Sequence, residues 1–556
     1  MNILLPLVIG LPVLFFGYFV YAKYIDRLFA CDDNRPTPAN VQRDDVDFVP
    51  THPFVLFGHH FASIAGGGPI IGPTLAILFG FVPVWLWIIL GAVFLGAVHD
   101  MAALFTSIRE KGQSIAEVAG ATMGRGVSLV MLAFTVIMLL MVTSVFLKLT
   151  AASLTSLVPV AALETPVDNL PVAIVNDGGV DKVAIGGIAS TSVMIVTLFA
   201  PLIGWLLYKR NTNILNTWMI LLSIYTIFAA GIPVWLVLQP RDFTNVFLLY
   251  GGMGLMLIAS LIAGIGGLSF NAPAFNLAQG DAKIGPIFPL LFITVACGAI
   301  SGFHSLVAGG TSAKQIKKES HVRQVAYGGM LLEGLLALVV LIAVGSGVDF
   351  THYVNIVHPD KGGNPILGFA LGMGGLLYKG LGINVVIGTV FGILMVEGFV
   401  VTTLDTAVRL NRYLIEELWS LLFKQVPAIM KNYLFNSSLC VLAMYGLART
   451  NTIMDLWKIF GSANQLLAAL TLIAVSAWLA LKGRKFWVTL IPAAFMMVMT
   501  MTALVFVFFK DYLPKSNWVL MSADVLLLAL SLCVLVMSIK FISQNKSGGA
   551  PKPAGA

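Results

Sequence analysis

Apolar residues along this chain neither alternate nor keep to one helical face. They run almost unbroken for 20 residues and more, then give way to short stretches that carry most of the charge. A hydrocarbon layer about 30 Å thick needs roughly 20 apolar residues per helix. The pattern therefore predicts membrane-spanning helices near residues 3–22, 52–79, 82–108, 126–158, 188–208, 213–239, 246–268, 285–312, 324–347, 382–408, 430–448, 453–481, 486–509 and 517–540. No basic residue precedes the first run, and Lys23 and Arg27 directly follow it. That reads as a retained helix with its N-terminus outside, not a cleaved signal peptide.

Basic loops face the cytoplasm. Arg109, Lys111 and Arg125 mark one, Lys209 and Arg210 a second, Lys314, Lys317, Lys318 and Arg323 a third, Arg409 and Arg412 a fourth, and Lys482, Arg484 and Lys485 a fifth. The acidic stretch 159–185, with Glu164, Asp168, Asp177 and Asp181, reads as external. Two full crossings between 246 and 312 would push the third basic loop outside, so the glycine-bearing segment 285–312 is expected to be re-entrant. Such backbone is tolerated at depth only inside protein or beside water. The helices then form two inverted sets of five, over 51–240 and 241–482. An extra helix and a cytoplasmic loop precede them over 1–50. Two C-terminal helices over 483–541 and a disordered cytoplasmic tail over 542–556 follow. Each set opens on a glycine-interrupted helix, "AGGGP" at 65–69 and "GIGGLSFNAP" at 264–273. Paired interrupted helices in inverted halves point to the midplane site of a secondary transporter.

Composition agrees with this reading. Of 556 residues, 58% are hydrophobic and 11% charged, which places the chain among all-α polytopic membrane proteins. The net charge of +7 sits in clusters between apolar runs, a topology signal and not a nucleic-acid surface. Cys31, Cys297, Cys440 and Cys533 lie far apart, without metal or disulfide spacing. There is no G-x-x-x-x-G-K-[ST] loop for an ATP-driven pump and no H-E-x-x-H or G-x-S-x-G motif for a hydrolase, so no enzyme and no bound cofactor is expected.

The stretch "FGHHFASIAGGGPIIGP" at 57–73 carries the chemistry expected of a site. A helix broken at Gly66, Gly67 and Gly68 exposes amides that suit a carboxylate, and carbonyls, that of Ala65 among them, that suit a cation. His59 and His60 precede Ser63 by four and three residues, so both imidazoles can lean toward it. They are candidate substrate ligands or proton carriers, and the plain alternative is that they brace the broken helix. His304 and Ser305, in "SGFHSLVAGGTS", echo the pattern. Asn464 and Gln465 are further substrate candidates whose amides could equally only link helices. Thr402, Thr403 and Asp405 could complete a sodium site from hard oxygens, although Asp405 and Arg409 also have the spacing of an ordinary helix ion pair. Glu397 lies at depth, and Asp100, Lys148 and Glu333 are other ionisable residues in or near apolar runs.

Four blocks, "VLFGHHFASIAGGGPIIGP", "ITVACGAISGFHSLVAGGTSAKQ", "TTLDTAVRLNRYLIEEL" and "LWKIFGSANQLLA", resemble the carbon starvation protein A (CstA) family in order, over residues 55–470 with gaps. The resemblance implies a bacterial inner-membrane uptake system with a LeuT-like core of the amino acid–polyamine–organocation type. It also implies ion-driven import of peptides or pyruvate during nutrient limitation, with this chain as a short form. Pyruvate is favoured because few acidic residues near the expected breaks could pair with a peptide ammonium. A channel or nutrient-sensing membrane protein is the reading from another class. Proton or sodium as the coupling ion, and the oligomeric state, stay open at the level of sequence.

Overall fold

The computed structural model describes residues 1–44, 48–160, 173–177, 179–184, 214–232, 238–359 and 363–546. Among them, ten helices are long and apolar enough to cross a membrane, eleven if the bent pair Pro53–Ile64 and Gly68–Phe79 counts as one span. The chain is therefore a multi-pass, essentially all-helical membrane protein. A small antiparallel sheet, not expected from the sequence, joins Leu157–Pro159, Ala173–Asp177 and Val180–Ala184 with the last strand in the middle. The expected crossing at 188–208, the pair Lys209 and Arg210, the acidic residues Glu164 and Asp168, and the tail from 547 lie outside the described residues.

Local signals set where the helices begin. Pro53 occupies a first-turn position behind His52, whose ring accepts from the Phe54 amide. Ser114 with Glu117 and Thr452 with Asp455 form capping boxes. Gly80 turns the chain between the 68–79 and 81–109 helices at φ 96°, and a β-carbon there would sit 2.6 Å from the Ala274 carbonyl oxygen, so only glycine fits.

Contacts along the bundle fix which way each helix runs. One face of the molecule carries Arg109, Lys111, Lys314 and Arg323. The Val49 and Thr51 amides donate to the Lys314 and Gln315 carbonyls there, so the 53–79 segment starts at this basic face. Its far end meets the opposite face, where the Asn276 amide donates to the Phe79 carbonyl. The 4–29 helix starts at that opposite face, with the Ile3 amide on the Leu268 carbonyl, and ends beside Glu319 at the basic face, where the Asp32 amide binds.

The re-entrant reading of 285–312 is corrected. Ile287–Lys314 keeps pace with Phe81–Arg109 from one face to the other. The Trp87 indole donates to the Phe292 carbonyl at 3.2 Å, His304 meets Asp100, Gly309 packs beside Ser107, and Arg109 grips Glu319 just beyond the segment. It is a full-length traverse interrupted at its middle. The miscount arises upstream. The 214–229 helix runs toward the basic face, because the Arg409 guanidinium donates to the Ala229 and Ile232 carbonyls at 2.5 and 2.6 Å. The 238–265 helix then runs away from that face, from Asn245 beside Gly398 to Gly264 beside Leu4. Both directions are the reverse of those expected for 213–239 and 246–268. Accordingly "GIGGLSFNAP" is not an interrupted helix. The helix ends at Ile265, and 268–276 caps the opposite face, where the Phe81 amide donates to the Pro273 carbonyl.

The two interrupted segments pack against the 81–109, 323–347, 365–381, 453–481 and 487–512 helices, with 125–154 and 385–422 reaching the first break through Phe146 and Thr403, while 433–450 and 518–546 lie farther out. Val385–Leu422, with 38 residues, passes Gly66 at Thr403 and ends where Arg125 donates to the Leu421 carbonyl at 3.1 Å.

Candidate functional site

Two breaks meet at the centre of the bundle. The first lies at Ala65, Gly66 and Gly67, where the two halves bend by 46°. The second lies between Gly298 and Phe303. Ala296, at its entry, takes φ 44°, a conformation that costs a non-glycine residue about 1–3 kcal/mol and clusters at functional sites. The halves are in intimate contact: a β-carbon on Gly68 would lie 2.6 Å from both the β-carbon and the sulfur of Cys297. One on Gly66 would lie 2.6 Å from the Thr403 hydroxyl, and one on Gly67 2.9 Å from the Phe146 ring. The glycines of the first break are thus demanded by packing in addition to conformation.

The second break is held by two neighbours on the 453–481 helix. Asn464 serves its amide end: its Oδ1 accepts from the Phe303 amide at 2.9 Å, its carbonyl accepts from the Gly302 amide at 3.0 Å, and its Nδ2 donates to the Ser301 hydroxyl at 3.0 Å. Gln465 serves the carbonyl end, donating from Nε2 to the Phe292 carbonyl at 3.0 Å. Buried backbone groups freed by a break require such partners. The Asn464 amide is therefore committed to the protein itself, whereas Gln465 is committed through Nε2 only and its Oε1 has no hydrogen-bond partner among the described residues.

Around the breaks lies a buried line of ionisable side chains. His99 Nδ1 and His304 Nδ1 each lie 2.7 Å from Asp100, one on each carboxylate oxygen. His304 Nε2 lies 3.2 Å from Glu333 Oε2, close but too poorly aligned for a hydrogen bond. All four residues are at most 1% exposed. His60 Nδ1 pairs with the Ser312 hydroxyl at 2.7 Å, and its Nε2 has no hydrogen-bond partner among the described residues.

The sequence-derived candidates separate on this map. The glycines of the first break meet Cys297 at the second, while His60 pairs with Ser312 and His304 with Asp100 on either side of them. His59 does not lean toward the Ser63 side chain: the Ser63 hydroxyl donates to the His59 carbonyl at 2.8 Å, and His59 itself is partly exposed. Ser305 donates to the Gly302 carbonyl at 2.7 Å and accepts from Thr471. Of the ion-site group, Thr403 faces Gly66 next to Ala65, while Thr402 accepts from Asn245 and Asp405 from Tyr225 on other helices. Positions 402 and 405 turn to one side of the helix and 403 to another, so the three oxygens do not converge. Lys148 donates to the carbonyls of Ala448 and Asn451 at a helix C-terminus, a stabilising place for a cation. Among the described residues, no group of three or more His, Cys, Asp or Glu could hold a metal ion.

Local sequence does not single out His99 or Ser312, and it marks Asp100 and Glu333 only as ionisable residues in or near apolar runs. The signal available was "VHDM", two adjacent ionisable residues deep in an apolar run.

The family model for the carbon starvation protein CstA matches residues 2–361 and 349–503. The chain belongs to this family. It is 32% identical to a Bacillus subtilis protein named peptide transporter CstA, over 90% of this chain and 89% of that one. It is 30% identical to an Escherichia coli protein named pyruvate/proton symporter BtsT, over 89% of this chain and 80% of that one. A crystal structure of an Eremococcus coleocola manganese transporter mutant aligns at a TM-score of 0.49 and 10% identity, over 91% of this chain and 99% of that one. As a CstA-family member with this helical architecture, the protein is a membrane transporter.

Proposed function

We propose that the protein is a secondary symporter of the bacterial inner membrane. It imports a small carboxylate-bearing nutrient, pyruvate by preference, through ion-coupled alternating access. The observation that carries this reading is the meeting of two interrupted helices that run in opposite directions, Gly68 against Cys297. Broken helices side by side at mid-depth offer amide ends to an anion and can hinge without breaking a regular hydrogen-bond ladder. The opposed directions suit two inverted sets of five helices, now drawn over 53–265 and 287–481 in place of 51–240 and 241–482, in a LeuT-like arrangement. The basic face would be cytoplasmic, with the N-terminus outside.

Asp100, which meets His304 beside the second break, is already bound by two imidazoles. That favours a compact monocarboxylate over a substrate that brings its own ammonium. One observation favours the second reading, a short peptide. Glu397 is fully buried with neither carboxylate oxygen hydrogen-bonded among the described residues, three positions before Val400, which packs on Gly67. A buried unpaired carboxylate is a natural partner for an ammonium group. Sodium as the coupling ion would draw on Thr403 beside Gly66.

Counterflow of labelled pyruvate in proteoliposomes tests the reading. Saturable exchange that an excess of alanyl-alanine leaves unchanged is expected; exchange of labelled alanyl-alanine but not pyruvate would move the substrate to the peptide class.

A further inference from the structure

Three helices contribute to the buried line of His99, Asp100, His304 and Glu333, which joins the 81–109 helix, the second half of the interrupted 287–314 segment and the 323–347 helix. Its two carboxyl groups have unlike surroundings. Asp100 accepts from an imidazole on each oxygen, which stabilises its ionised form, whereas both Glu333 oxygens lack a hydrogen-bond donor among the described residues. A carboxylate buried without donors is costly, so Glu333 is the member best suited to hold a proton. The Asp100 carboxylate also selects the His304 tautomer. With the proton kept on Nδ1 toward Asp100, Nε2 presents its lone pair to Glu333 at 3.2 Å.

We propose that Glu333 carries the coupling proton and that His304, oriented by Asp100, takes it and returns it as the second break rearranges. This rests on the symport reading above. In the transfer the Glu333 O–H bond breaks, the proton bonds to His304 Nε2, and the resulting imidazolium stands between two carboxylates. The reverse step reloads Glu333. No oxidant or other co-reactant is involved.

The surroundings make the line sensitive to the break. His304 is the second residue after Gly302, and Gly334, next to Glu333, packs under the Gly298 carbonyl at 3.9 Å from a β-carbon position. Movement at 298–303 therefore changes the separation of His304 and Glu333 directly. The other ionisable groups facing the line are His60, whose Cδ2 lies 3.3 Å from a β-carbon position at Gly329, one turn before Glu333, and Cys297 at the break. Neither bridges His304 and Glu333. One proton moving with one monocarboxylate carries no net charge, so transport is electroneutral.

The test compares wild type with Glu333→Gln in proteoliposomes, using labelled pyruvate. Glutamine copies the neutral, loaded carboxyl but cannot release a proton. Accumulation driven by an alkaline interior should fall at least about tenfold further in the variant than counterflow does. Wild-type accumulation should not respond to a potassium-diffusion potential. Undiminished pH-driven accumulation in Glu333→Gln overturns the proposal, as does loss of counterflow in both Glu333→Gln and Glu333→Asp. Accumulation by wild type under a sodium gradient alone also overturns it, yet leaves the carboxylate-transporter reading standing. A wild type that exchanges neither pyruvate nor alanyl-alanine defeats that underlying reading instead.

Discussion

At the residue scale the site is governed by what each side chain excludes or satisfies. Gly66 is needed because a methyl group would press on the Thr403 hydroxyl, itself bonded to the Phe399 carbonyl at 2.9 Å. Gly66→Ala should therefore reduce pyruvate counterflow about tenfold or more, and Gly66→Ala with Thr403→Ala should restore part of it, because two substitutions that share one contact are not additive. A double variant no better than the single one would assign the loss to backbone conformation. Asn464→Ala removes the acceptor of a buried amide and should destabilise the fold by about 1–3 kcal/mol, seen as a lower unfolding temperature in detergent. The chemistry of these residues was partly legible: the glycine run, His60 and His304 stand out as polar or helix-breaking residues in lipid-compatible sequence. Their partners were not. Asp100 and His304 are 204 positions apart, and nothing in local spacing tells which of several buried ionisable residues will meet.

At the element scale, the segment 26–35 and the loop 314–323 are clamped together at the basic face. Glu319 accepts from Arg109 at 2.8 and 3.0 Å, from Arg35 at 2.8 Å and from the Asp32 amide at 2.9 Å. Burial works to raise its carboxyl, but these bonds outweigh it, with Arg109 foremost, and hold it below the ordinary glutamate range. A carboxyl depressed in the fold contributes stability above its unfolded value, lost as pH falls through the native one. The difference in unfolding temperature between wild type and Glu319→Gln should thus be flat from about pH 8 to 5 and close below about pH 4, measured by thermal shift across pH. At neutral pH the variant should lose about 1–2 kcal/mol, a modest figure because Arg35 is 42% exposed. Hydropathy marks most of the described long helices, since long apolar runs admit little else, but it passes over the shorter, glycine-rich helix Pro365–Leu381. Helix directions are not so marked: each follows from counting crossings, so one error in the count reverses 214–229 and 238–265 and makes 287–314 look re-entrant.

At the scale of the whole molecule, the meeting of the two breaks is the moving part of the proposed transporter. A native reporter sits there. Cys297 is 8% exposed, and no space exists between it and Gly68 in this conformation. The most direct measurement uses protein in which Cys31, Cys440 and Cys533 are replaced by serine, with N-ethylmaleimide labelling of Cys297 and pyruvate counterflow followed on the same proteoliposomes. Labelling should abolish exchange in proportion to its extent, and saturating pyruvate should slow the labelling. Complete labelling of Cys297 with undiminished exchange would contradict a transport path through the two breaks.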